Sequence, residues 1–191
     1  MKYPILLYFI ISPFMLSLLQ AQGKGGTFFL KDTLPVSTTV TSNPCILINV
    51  KWKYHPDDNT YPLDQWTSPD FNDSSWEDTP SRLPVDSLPK GGWTGAGLFR
   101  LHLVVDSMLW NKPLAVYVIQ KGASEIYLDG KLIMKHGIVG SMGTVETGVS
   151  TLTTPPGFII FSKSTHVISV RFSSFSILAD QPPGITDLGF A

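Results

Sequence analysis

The sequence predicts an all-β protein, an antiparallel two-sheet sandwich preceded by an N-terminal signal peptide. Three observations lead there. The apolar runs are mostly short, about 4–8 residues, β-branched or aromatic, and closed by Gly, Pro, Asn or Asp. No segment keeps apolar residues at helical spacing over roughly three turns, so helices should be short and few. Finally, 16 Gly and 15 Pro punctuate 191 residues, of which 43% are hydrophobic and only 15% charged. That balance excludes a disordered chain and a long exposed helix. Lys plus Arg (14) nearly cancel Asp plus Glu (15), so the basic surplus of an ordinary nucleic-acid binder is missing.

Residues 1–21 form a block of their own. Lys2 is the only charge before Lys24, and an apolar stretch from Tyr3 to Leu19 leads to Gln20-Ala21-Gln22-Gly23. A positive start, an apolar middle and a small residue before a polar segment make a secretory leader, cut after Ala21. Such a leader exports the chain, to the periplasm or the exterior. The alternative is an uncleaved anchor, since the run approaches the ~20 residues that span a bilayer; Pro4 and Pro13 interrupt that helix. No second apolar run reaches that length, so the mature part is expected to be soluble. Cys45 is the lone cysteine, so no internal disulfide forms, and its apolar neighbours suggest a buried thiol.

Residues 22–43 read as a lead-in with one apolar patch at Thr27–Leu30, and 44–191 as the sandwich. Its runs are Cys45–Tyr54, Leu98–Val105, Leu114–Ile119, Ser124–Leu128, Leu132–Met134, Phe158–Phe161 and His166–Phe172. In Leu98–Val105, Phe99, Leu101, Leu103 and Val105 share one face, while Arg100 and His102 share the other. Asp129-Gly130 sits between two apolar arms, and both residues tolerate the positive φ of a tight hairpin turn. Leu114–Ile119 is apolar throughout, as in a central strand covered on both sides. The long stretch from Tyr54 to Gly95 is expected to hold a helical turn around Ser74-Ser75-Trp76 and to wrap one end of the sandwich.

Four pieces resemble the galactose-binding-like jelly roll. It is found at the front of family 2 glycoside hydrolases and in extracytoplasmic sensor segments of bacterial membrane signalling proteins. They are Trp66-Thr67-Ser68-Pro69-Asp70-Phe71-Asn72-Asp73-Ser74-Ser75-Trp76, like W-x-x-P-x-F-D-D-S-x-W with Asn72 for the first Asp; Gly95–Leu103, like its G-x-x-W/Y-F/Y-R strand; Gly122–Lys131, like its A-x-E-x-Y-L-N-G hairpin with Asp129 for Asn; and His166–Phe172, like its closing strand. The resemblance covers roughly residues 50–175. It implies a jelly-roll sandwich whose last strand lies near Ile185–Ala191. It also implies a continuation into membrane helices and a histidine kinase, cyclase or phosphatase module, so that this chain is an N-terminal fragment.

The structural roles follow from chemistry. Asp70, Asn72 and Asp73 are short polar residues suited to capping a turn, and Trp66, Phe71 and Trp76 would plug the sandwich end. Arg100 in mid-strand needs a carboxylate or the wrapping loop as partner.

Catalytic patterns are absent from the sequence. Gly91–Gly97 precedes a strand, whereas a phosphate cradle opens a helix. His55, His102, His136 and His166 never fall at zinc spacing, and no G-x-S-x-G elbow exists. In the glycosidases that the chain resembles, the catalytic acids lie in a separate barrel. No cofactor or metal is expected. Aromatics are the remaining lead, because sugars stack on rings. Trp93, between Gly and Thr, and Tyr61, in a polar loop, are the candidates for exposure, with His55 and Asp58 as hydrogen-bonding neighbours. The expected role is a non-enzymatic sensing domain for a small polar ligand, carbohydrate included. It would meet a membrane only through a C-terminal continuation or an uncleaved leader. The alternatives are an accessory sugar-binding domain of a family 2-like hydrolase and a purely structural interaction domain.

Overall fold

The computed structural model describes residues 7–11, 19–24, 27–32, 45–47, 51–80, 83–84, 89–118, 120–141, 145–150, 155, 157–175 and 187–188. The Cys45 side chain and residues 33–44 lie outside them, so the buried thiol is not addressed; of the strand expected near Ile185–Ala191, Asp187–Leu188 is described and pairs antiparallel with Leu83–Pro84. The strands are β1 (Leu7–Ile11), β2 (Leu19–Lys24), β3 (Thr27–Asp32), β4 (Cys45–Leu47), β5 (Lys51–Pro56), β6 (Glu77–Pro80), β7 (Leu83–Pro84), β8 (Ala96–Val105), β9 (Pro113–Val118), β10 (Lys121–Leu128), β11 (Lys131–His136), β12 (Val149–Ser150), β13 (Gly157–Ile160), β14 (Thr165–Ser173) and β15 (Asp187–Leu188). Helix is sparse among the described residues: one α-helical turn, α1 (Leu63–Trp66), and a 3-10 turn at Ser107–Leu109.

The protein is mostly β. Its main sheet runs β11-β10-β14-β8-β3-β2, with β5 also beside β8 and β6 beyond β5. A smaller sheet runs β13-β9-β1-β4. Pairing is antiparallel except that β3 lies parallel to β8, Thr27 opposite His102. β5 pairs with the first half of β8, Pro56 to Lys53 against Gly97 to Arg100, and β3 takes the second half. The expectation of a wholly antiparallel sheet fails at that strand, which fills an edge that β5 is too short to cover.

The two sheets share one core. Phe99, Leu101, Leu103, Ile126, Ile168 and Val170 of the main sheet meet Leu114, Val116 and Ile159 of the smaller one. Phe99 and Leu101 are fully buried, each contributing about 1.5–3 kcal/mol of apolar transfer. The strand alternation in β8 is as the sequence implies on this face. The other face is different: Arg100 is also fully buried, because residues 57–76 lie across it.

That wrap forms locally. Pro62, with φ −58°, starts α1, a conformation its ring already holds. The helical turn thus falls at Leu63–Trp66; Ser74-Ser75 makes only a tight turn, closed by Trp76 N–H donating to Asp73 O at 2.9 Å. Trp66 and Trp76 pack with Leu98 and Tyr127, flanked by Tyr61 and Phe71. These rings therefore cover the outer face of the main sheet rather than plugging an end.

Candidate functional site

One buried arginine ties the wrap to the sheet. Arg100 Nε donates to Asp73 Oδ2 at 2.7 Å, and Nη1 donates to the carbonyls of Trp66 and, at 3.0 Å, Ser68. The guanidinium carbon lies 5.2 Å from the Phe71 ring centre. His102 Nε2 reaches the same Asp73 oxygen at 2.8 Å. Burial pushes the Asp73 carboxyl up, but its bonds to His102 and Arg100 outweigh this and hold it below the ordinary 3.8. Asp73 is thus an ion-pair partner, not a turn cap. Asn72 does cap, accepting from Ser74 N–H at 3.1 Å; the side chain of Asp70 is exposed. A second buried carboxylate, Asp57, takes Arg171 Nε at 2.7 Å.

Between these two anchors three of the four expected ligand residues come together. The His55 and Tyr61 rings meet edge-on at 5.0 Å, and both lie over Trp76, at 5.4 Å and 5.8 Å. Phe71 closes the group, 5.1 Å from Tyr61. His55 Nδ1 lies 2.7 Å from the Pro56 carbonyl, which can only accept, so Nδ1 carries the proton and Nε2 is left as an acceptor. Asp58 stands at the rim with its side chain 45% exposed and Oδ1 3.9 Å from His55 Nδ1. Burial raises its carboxyl, yet hydrogen bonds from Thr60 and the neighbouring His55 bring it below 3.8. It is anionic at neutral pH.

The indole nitrogen of Trp76 is buried and has no hydrogen-bond partner. The nitrogen lies out of solvent reach, so it belongs to the packing beneath the patch rather than to its open face. The sequence placed Trp76 in the packing and missed that its nitrogen stays free. Its local signal, an aromatic three residues after an Asp turn, speaks only for burial.

Trp93 lies elsewhere. It is 9% exposed, on the opposite face of the sheet, with its ring 5.9 Å from Phe172 and 6.3 Å from Tyr54. Its nitrogen donates to Ser174 Oγ at 3.0 Å. The expected exposure of Trp93 is corrected: Gly97 leaves the slot it fills, since a Cβ there would come within 3.0 Å of the Trp93 ring.

The hairpin residues carry a second network. Asp129 and Gly130 have φ of 48° and 84°. Asp129 Oδ1 accepts from Val167 N–H at 2.8 Å, and Oδ2 accepts from His166 Nδ1 at 2.7 Å with Lys163 Nζ 3.3 Å away. His166 Nε2 accepts from Lys163 N–H, which leaves the ring proton on Nδ1 for Asp129. This lock ties the hairpin to β14 and is structural.

The described residues thus form a mostly-β protein with two larger sheets, a two-stranded β7-β15 pair and a half-open aromatic patch strapped across the main sheet. Neither protein-family models nor curated proteins give a match to this chain. Among the described residues, no helix is long and apolar enough to cross a membrane.

Proposed function

We propose that this is an exported, non-catalytic jelly-roll domain of the galactose-binding-like kind. It binds a small polar ligand, carbohydrate included, at the His55, Asp58, Tyr61 and Trp76 patch, as the sensing part of a longer membrane signalling protein. One observation carries the reading: the half-buried His55 and Tyr61 rings stand together beside the exposed Asp58 carboxylate. Ring faces stack on the C–H faces of a sugar, while His55 Nε2 and Asp58 supply two acceptors for hydroxyls. A signal would follow only if the ligand prefers one of two states of the whole protein.

Calorimetric titration against a glycan panel tests this. Tyr61→Ala should weaken binding roughly tenfold, the worth of one stacked ring, in protein that circular dichroism shows still folded. Binding that survives Tyr61→Ala and His55→Ala unaltered would remove the site. Trp93→Ala is the control: it should destabilise the fold by about 3–5 kcal/mol without a specific effect on ligand.

The interaction-domain reading has its own support at β13. Phe158 and Ile160 are 66% and 55% exposed there, on the outer strand of the smaller sheet.

A further inference from the structure

We propose that β11 is an acid-released edge strand: when His136 gains a proton, the strand lets go of β10 at its far end and opens the seam between the two sheets. This stands apart from the ligand-binding reading and holds whether or not the aromatic patch takes a sugar.

The geometry begins at one rung of the ladder. Ser124 of β10 lies directly opposite His136 of β11. Ser124 shares its face with Ile126, which belongs to the core between the sheets, so this rung points inward. Ser124 is fully buried. Its Oγ and His136 Nε2 are both out of solvent reach and without a hydrogen-bond partner, so they do not bond each other. The charged ring carries N–H on both nitrogens. The inward one would then be a buried cationic donor with no acceptor, which is costly. Burial accordingly holds the ring below 6.5. Among the described residues no counter-charge relieves it. Lys131 and Lys135 of β11 are exposed, and Lys135 Nζ binds Glu125 on the opposite face at 2.8 Å, where Tyr127 O–H also donates to Glu125. On β14, behind β10, Arg171 is held by Asp57 and His166 by Asp129. Glu146, on the segment after β11, accepts from Phe175 N–H at 2.9 Å, and β13 has no titratable residue.

The rest of the strand is weakly held. Among the described residues β11 pairs with β10 alone, and none of its six residues is buried. Its ladder slips at Ile133, since Ile126 faces Met134 while Tyr127 faces Leu132, and such a bulge leaves one residue unpaired. Segments with few buried contacts open locally, at a fraction of the cost of global unfolding. The turn end is fixed, because Asp129 is bonded to Val167 N–H and His166 of β14. Opening therefore starts at the other end, where His136 sits. What it uncovers is apolar. Met134 packs over Gly157 of β13, where a Cβ would collide with its sulfur. Phe158 and Ile160, further along that strand, are already exposed.

The test is hydrogen exchange on the whole chain at about pH 7.5 and about pH 5.5, with protection corrected for the intrinsic rate at each pH. A released ring regains the ordinary value of 6.5. It is then mostly neutral at the higher pH and mostly charged at the lower, so the open population should rise by up to about tenfold. Amides of residues 131–136 should lose up to about tenfold in protection, from a level already below that of β14. His136→Gln, neutral throughout, should show no such loss. A loss that persists in His136→Gln would overturn the proposal. So would equal protection of residues 131–136 and 165–173 at the higher pH, because β11 would then open only with the whole molecule. Should His136→Gln fail to fold, ring-proton titration of His136 in the unaltered protein decides. A midpoint below 6.5 is expected, and one at or above it would overturn the switch.

Discussion

Arg100 shows how one residue can hold a loop. Its charge is fully out of water, and every identified partner except Ser169 belongs to the wrap. Removing one member of such a pair leaves the other buried and uncompensated, at a cost of about 3–5 kcal/mol. Asp73→Asn should lose that much in urea denaturation, and Arg100→Lys should not rescue the fork-shaped set of contacts. The sign with pH follows from the lowered Asp73 carboxyl. Its contribution is complete above the ordinary value of 3.8 and is lost as pH falls through the lower folded value. Acid melting of the wild type below about pH 4 should therefore be steeper than that of Asp73→Asn. His136 acts in a higher window: burial holds its ring below 6.5, with Nε2 unpartnered. Stability should decline as pH falls below 6.5, and His136→Gln should flatten that slope. At this scale the sequence was readable where chemistry is local. His55, Asp58 and Tyr61 lie within a few residues of each other, so their meeting needed no long-range information. The pairing of Asp57 with Arg171 depends on strand registry, which no neighbouring residue announces.

At the scale of elements, period-two alternation and turn residues located β8, β10, β11, β13 and β14 to within a few residues. The Asp129-Gly130 turn was legible because positive φ at both positions is a demand few residues meet. β6 was not, since Glu77-Asp78-Thr79-Pro80 reads as a loop. Among the described residues it is an edge strand paired with β5 alone, and edges tolerate the charges and proline that inner strands reject. The parallel β3 was equally hidden, because direction of pairing is decided by where the chain arrives. Two glycines carry close approaches that a side chain would spoil. At Gly97 a Cβ would stand 2.6 Å from the Tyr54 ring; Gly97→Ala should cost about 1–3 kcal/mol through overpacking. Gly137, at φ 72°, would drive a Cβ into the Thr147 carbonyl, so Gly137→Ala should be at least as damaging in thermal denaturation.

At the scale of the whole molecule, the two layers follow from the sequence because short apolar runs without helical spacing can bury themselves in few other ways. The proposed leader is the feature with most at stake. β1 lies inside residues 1–21 and pairs on both sides, with β9 and with β4. Cleavage after Ala21 would remove it and leave one side of β9, Leu114–Val118, without its neighbour. On the proposed reading of residues 1–21 as a leader, intact mass measurement of the mature product should give a chain beginning at Gln22; a mass that retains residues 1–21 would favour the anchor.

The strap across the main sheet is fastened at both ends, by Asp57 to Arg171 and by Asp73 to Arg100. On the proposed ligand-binding reading, the rings between those fastenings are already arranged before a ligand arrives. Recognition should then proceed without a slow rearrangement, and the entropy of ordering that surface is spent during folding rather than at the encounter. Heating should accordingly destroy affinity and tertiary structure together, in a single transition.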